Sequence, residues 1–278
     1  MSGHLKKIEI VLLIAGLLAI VAVGISVVHS FDIFWQLQSG RYMVETGSII
    51  DKDVFTLVAN NARYEHCWLH DITLYFIYLA GGYQAISVWK GLMVLATTGL
   101  LVAAALFRRS SLLAILATLP VVFLTAGGWL ERPQLWTFFF FALFIFCMER
   151  YRATGSKIIF LLFPAMLFWA NAHSGAVLGV LVFGAYLAGD LANKLLRERR
   201  LSLTGGKRFL IGGGLIVLGA SLTPKATHWL NILHKAPSFG GKVTQGGGEA
   251  FRDSWLFWRL RRLILLTFSC WAVSRSWG

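Results

Sequence analysis

The residues of this chain whose types suit chemistry are few, and they cluster between long apolar runs. The chain carries only 13 acidic residues, and Asp32, Glu45, Asp51 and Asp53 all fall in "FDIFWQLQSGRYMVETGSIIDKD", directly after the first apolar run. Further along come Glu65-His66, His70-Asp71, Glu131-Arg132 and Asn171-Ala172-His173. Asp32 has two readings. It is an N-cap that accepts bonds from open helix amides, or a general base at a membrane surface. Gln36, four residues on, shares its helix face and would support it. Asp51 and Asp53, two apart, point the same way on an extended segment and suit a divalent cation bound through oxygen; the other reading is a solvated turn. Glu65, His66, His70 and Asp71 have the residue types of a metal cluster, although Trp68 and Leu69 between the histidines point to docking on a membrane surface. Arg132, followed by Pro133, offers a guanidinium fork to a phosphate; alternatively it pairs with Glu131 or with a loop carboxylate. His173 either donates to the same phosphate or pairs with Asp32 or Glu65. Lys90 falls inside an apolar run, where a snorkelling side chain is the simple expectation.

Around these residues the chain is 57% hydrophobic over 278 residues. Several runs approach the roughly 20 residues that a helix needs to cross a bilayer. The expected class is therefore an all-α integral membrane protein, not one or two soluble domains. The net charge of +13 is the ordinary signature of basic helix ends, and nucleic acid is not an expected partner. Cys67, Cys147 and Cys270 lack metal-ligand spacing and predict no disulfide. Residues 10–28, behind Lys6 and Lys7, are too long for a cleavable signal and read as an uncleaved anchor entering from the cytoplasm.

After the anchor, residues 32–46 predict an amphipathic helix ending at Gly47, with Ile33, Leu37 and Val44 on its apolar side. Residues 69–82 are apolar but short, and predict an interfacial or re-entrant helix. Crossings follow at 84–107, 111–130, 135–148, 158–170, 175–193 and 209–222, with Pro120 and Pro164 inside two of them. This gives about seven transmembrane helices, or eight, and a large first extracytoplasmic loop, 29–83, containing interfacial helices. The alternation places thirteen Lys and Arg at cytoplasmic ends against four outside, namely Arg41, Lys52, Arg63 and Arg132, which satisfies the positive-inside rule. The acidic loop is thereby expected outside, and the N-terminus in the cytoplasm.

Residues 1–239 form the expected transmembrane domain, and 240–278 stand apart as a Gly-rich loop and a basic, Trp-rich tail. Arg259, Arg261 and Arg262 would each cost roughly 2.5–3.5 kcal/mol near the centre of a span. The expectation is that this tail is out of register with the rest, as a frameshifted end would be.

Four stretches carry a resemblance. "DIFWQLQSGRYMVETGSIIDKDVFT" is similar to D-x-W-W-H-L-x-x-G-x-x-I-x-x-x-G-x-I-P-x-x-D-x-F-S, and "YEHCWLHDITLYFIYLAGG" resembles its usual sequel. "RPQLWTFFFF" and "WANAHSGAVLG" resemble the later Arg-Pro and Asn-x-His-x-Gly elements. Together they resemble bacterial multi-pass proteins of the GT-C glycosyltransferase type. The resemblance implies a bacterial cytoplasmic (inner) membrane and transfer of a sugar from a polyprenyl-phosphate carrier to an extracytoplasmic acceptor. It implies that Asp32 deprotonates the acceptor hydroxyl. Arg132 and His173 then suit the departing phosphate on chemical grounds, with Gln36, Glu65 and His66 in support and a divalent cation as an open alternative. Departures are plain. Phe34-Trp35-Gln36 stands where Trp-Trp-His is usual, Ile50 replaces a Pro, and relatives are longer, so a truncated, inactive copy is one expectation.

The leading reading is thus a lipid-linked sugar transferase, if active. The alternative is a non-catalytic membrane protein binding a lipid-phosphate headgroup or a partner protein. A small transporter fits less well, because transporters place polar groups at midspan and these collect at one face.

Overall fold

The computed structural model of the chain describes residues 28–51, 54–55, 67–107, 128–198 and 206–224, with Gly16 and Ile25. These belong to one compact unit, Met1–Ala226. Most of the anchor at 10–28, most of the 111–130 crossing, and the Gly-rich loop and tail at 240–278 lie outside the described residues.

The described residues are all-helical, with no strand. Helix α1 (Ile33–Thr46) is closed by Gly47 at φ 66°, whose N–H donates to the Met43 carbonyl. Its buried face is Ile33, Leu37 and Met43, while Val44, expected inside, is 39% exposed. Val44 shares the face of Ile33 and Leu37, seven residues after Leu37, but it sits in the last turn of the helix.

Helix α2 (Trp68–Leu106) is two helical pieces, 68–80 and 83–106, broken at Gly81 and Gly82. Gly82 adopts φ 63°, ψ −150°, a backbone region that essentially excludes side chains. The break thus falls at the boundary between the predicted short helix and the predicted crossing. Helix α1 packs on both pieces around Ile33, Leu37, Leu74 and Ile86, with Tyr78 of the first piece and Trp89 of the second against them. The closest approach is at Gly40, where an added Cβ would lie 2.2 Å from the Asp71 carbonyl oxygen and 2.9 Å from Tyr75 Cβ. Gly40→Ala should therefore push the two helices apart and destabilise the protein by about 1–3 kcal/mol, read as a lower thermal midpoint in detergent. An unchanged midpoint would mean that α1 is not clamped to α2.

Helix α3 (Gln134–Thr154) is about 31 Å long at 1.5 Å per residue. A 3-10 turn (Lys157–Leu161) then leads into α4 (Leu162–Ala172). The predicted crossing 158–170 is thus part of a composite, and the whole composite, residues 157–172, extends roughly 26 Å with the 3-10 rise included. Pro164, expected as a kink, sits in the first turn of α4, where no N–H is required. A second 3-10 turn (Ser174–Ala176) opens α5 (Val177–Glu198), and α6 (Gly206–Ser221) is the last described helix.

Helix α2 packs on α1 and α3, α3 on α5, and α4 on α6. The core between α2, α3 and α4 is aromatic. Trp136 lies 4.7 Å from Phe168 and 5.6 Å from Trp89, ring centre to ring centre. Phe144 meets Trp169 edge-on at 5.5 Å.

Among the described residues, two helices are long and apolar enough to cross a membrane, Trp68–Leu106 and Ser174–Leu196. In the second, only 11% of the apolar window is buried. That is the reverse of a core helix in a soluble protein, and an apolar surface of that extent calls for lipid or another apolar cover.

Candidate functional site

The site is built where three segments meet: residues 29–32, the turn before α3, and the second piece of α2. The turn is tight. Arg132 N–H donates to the Leu130 carbonyl at 2.8 Å, and Leu135 N–H to the Arg132 carbonyl at 3.0 Å. Glu131 and Arg132 are neighbours on it, and their side chains take different partners.

Glu131 is completely buried. Its Oε1 pairs with the ammonium of Lys90, and its Oε2 accepts the backbone N–H groups of His29 (3.2 Å) and Ser30 (3.3 Å). A buried carboxylate is tolerated when it is paired and its lone pairs are bonded, and this one has three donors. Lys90 therefore does not snorkel. It is 1% exposed and ends inside the protein, because a buried counter-charge there satisfies it better than a long reach to water.

Arg132 faces the lip of the same junction. Its Nε donates to Ser30 Oγ at 3.2 Å, and its Nη2 lies 2.9 Å from Asp32 Oδ2. The two side chains are 23% and 34% exposed, respectively. The partner of Arg132 is thus a loop carboxylate and not its neighbour Glu131. No described residue takes its Nη1. Asp32 stands at the start of α1 but makes no side-chain capping bond; its carboxylate serves Arg132 instead. It remains next to the positive end of the helix dipole, which favours an anion there.

Gln36 lies one turn inside Asp32, but it is buried at 2% exposure, and its Oε1 has no partner among the described residues. The expected common face of Asp32 and Gln36 is thus split into a half-open and a closed position.

His173 forms a second polar junction, between α3 and the end of α4. Its Nδ1 accepts the Gly175 N–H at 3.1 Å and meets Thr137 Oγ1 at 2.6 Å. Thr137 Oγ1 in turn accepts the Trp169 indole N–H at 3.0 Å. With its oxygen so engaged, the Thr137 hydroxyl proton is directed to Nδ1, which places the imidazole proton on Nε2. His173 is therefore a turn residue whose Nδ1 caps the 3-10 helix. Asn171 ties three segments: its oxygen accepts the Trp68 indole N–H at 3.2 Å, and its amide donates to the carbonyls of Leu167 and Leu222. His70 is fully buried and accepts the Trp136 indole N–H at 3.1 Å.

Glu65, His66 and Asp53 lie outside the described residues. Asp51 is exposed. Among the described residues no three His, Cys, Asp or Glu side chains converge as a metal site. Of the predicted residues, the structure brings Asp32 and Arg132 into contact and gives His173 its described bonds elsewhere. Sequence reasoning missed Ser30, Lys90 and Thr137 as bonding partners. Only Lys90 carried a signal, as a charge inside an apolar run.

The opposite end of α3 holds its own polar set. Tyr186 Oη donates to the buried Glu149 Oε1 at 2.6 Å, and Arg152 pairs with Asp190. Chemically, the Asp32–Arg132 lip offers a carboxylate that can take a proton and, 2.9 Å away, a guanidinium that can bind an anion. A search among protein-family models, curated proteins and solved structures finds no match to this chain.

Proposed function

We propose that this chain is a multi-pass membrane protein of GT-C type, with about seven crossings, its N-terminus in the cytoplasm of a bacterium and Asp32–Arg132 at the outer face of the inner membrane. In this reading it moves a sugar from a polyprenyl-phosphate carrier to an extracytoplasmic acceptor. The observation that carries the reading is the meeting of Asp32 and Arg132, both part-exposed, at one end of a helix of bilayer length.

Asp32 takes the proton of the acceptor hydroxyl as its oxygen attacks the anomeric carbon. The bond from that carbon to the phosphate oxygen breaks, and polyprenyl phosphate leaves as the anion. Arg132 stands where that charge develops, fixed in advance by Ser30, which is the arrangement that electrostatic stabilisation requires.

A second reading is a non-catalytic protein that binds a lipid-phosphate headgroup. It is favoured by the Asp32 carboxylate being already engaged by Arg132.

The outer-face placement is tested by cysteine labelling in spheroplasts, with Cys67, Cys147 and Cys270 replaced by alanine. Ser48→Cys, just past α1, should react with a membrane-impermeant maleimide in intact spheroplasts. Ala153→Cys, at the far end of α3, should react only after permeabilisation. The reverse pattern, or labelling of both from outside, would overturn the topology.

A further inference from the structure

We propose that Glu131 is a positioning residue: it grips the exit of the first apolar run by two backbone amides and so sets Asp32 against Arg132. The proposal rests on the reading of Asp32–Arg132 as the working pair and adds the group that aligns it. Glu131 Oε2 accepts from His29 and Ser30, the two residues that precede Phe31 and Asp32 in the chain. Ser30 then returns its hydroxyl to Arg132 Nε, and Arg132 closes on Asp32. Since Glu131 and Arg132 are adjacent on one tight turn, a single rigid segment holds both sides of the site. Lys90 is the counter-charge for that carboxylate, brought in from α2, whose other contacts fix its place.

The geometry separates two roles of Glu131, charge balance towards Lys90 and acceptance of two amides. Lys90→Met with Glu131→Gln removes both charges and keeps an oxygen acceptor. Lys90→Met with Glu131→Leu, or with Glu131→Met, removes both charges and the acceptor. Each double variant is made in a chain whose native cysteines are alanine and which carries Asp32→Cys and Arg132→Cys. Reaction with a short bifunctional methanethiosulfonate then reports how closely positions 32 and 132 are held, and hydrogen–deuterium exchange reports the His29 and Ser30 amides.

The Gln variant should cross-link as well as the parent with both amides protected, whereas the Leu and Met variants should cross-link at least about fivefold less and exchange those amides about tenfold faster. Equal cross-linking in all backgrounds overturns the proposal, whatever the exchange rates. Failure of both the Leu and Met variants to fold, with the Gln variant folded, would make Glu131 a structural tie and would also overturn it. The functional reading fails separately: if the unsubstituted protein retains no undecaprenyl phosphate, that reading is lost while cross-linking still decides the role of Glu131.

Discussion

Asp32→Asn is expected to lower sugar transfer by about 10²–10⁴-fold, the range of a lost general base, while leaving lipid-phosphate retention nearly intact. The argument turns on what asparagine keeps. Its amide oxygen can still accept from Arg132 Nη2, and its volume matches the aspartate, so the lip stays closed. What it cannot do is take a proton. Loss of the ion pair itself should have little effect on folding, because a part-exposed pair contributes about 0–1 kcal/mol. Arg132 keeps its bond to Ser30 and its open Nη1, so the anion side of the site is preserved. Transfer is followed as radiolabelled sugar moving from undecaprenyl phosphate into acceptors of isolated membranes, and retention by lipid extraction from purified protein. A variant that transfers normally would remove Asp32 from the chemistry. A parent that retains lipid phosphate but transfers nothing would favour the non-catalytic reading.

Glu131→Ala carries the largest expected effect on stability, a loss of about 3–5 kcal/mol. The substitution leaves the Lys90 ammonium in a buried position without its described counter-charge and removes the acceptor of two backbone amides. Both consequences push the same way. The loss is not what the pair contributes over an apolar alternative, since removing both charges together is often neutral. Lys90→Met combined with Glu131→Gln should therefore recover most of the stability lost in the single variant. Unfolding in detergent, followed by fluorescence-detected size exclusion against temperature, distinguishes the cases. A single variant that loses less than about 1 kcal/mol would mean that the site is open to water, as in exposed pairs.

Much of the helical layout was legible in the sequence, and the reasons are local. Asp32 and Gly47 bracket α1, and Gly47 in the left-handed region is the usual chemistry of a helix stop. The Gly81-Gly82 pair marks where a short apolar helix gives way to a long one. The polar contacts were less legible, because they are long-range. Lys90 and Glu131 are separated by 41 residues, and no periodicity links them. Adjacent residues on a turn also read alike in a sequence, although Glu131 is buried and Arg132 reaches the lip. Asn171 and His173 stood out as polar groups near lipid, but their described bonds are those of a helix junction. An Asn-x-His-x-Gly pattern at a turn cannot show whether its donors face a ligand or the protein's own backbone.

Arg132 is proposed to hold a lipid-linked phosphate beside the first turn of α3. Native mass spectrometry of the detergent-purified protein, with Arg132→Ala alongside, tests it most directly. The expected result is a polyprenyl-phosphate species bound to the parent and absent from the variant at equal folding. A parent spectrum without such a lipid, or one whose lipid survives Arg132→Ala unchanged, would contradict it.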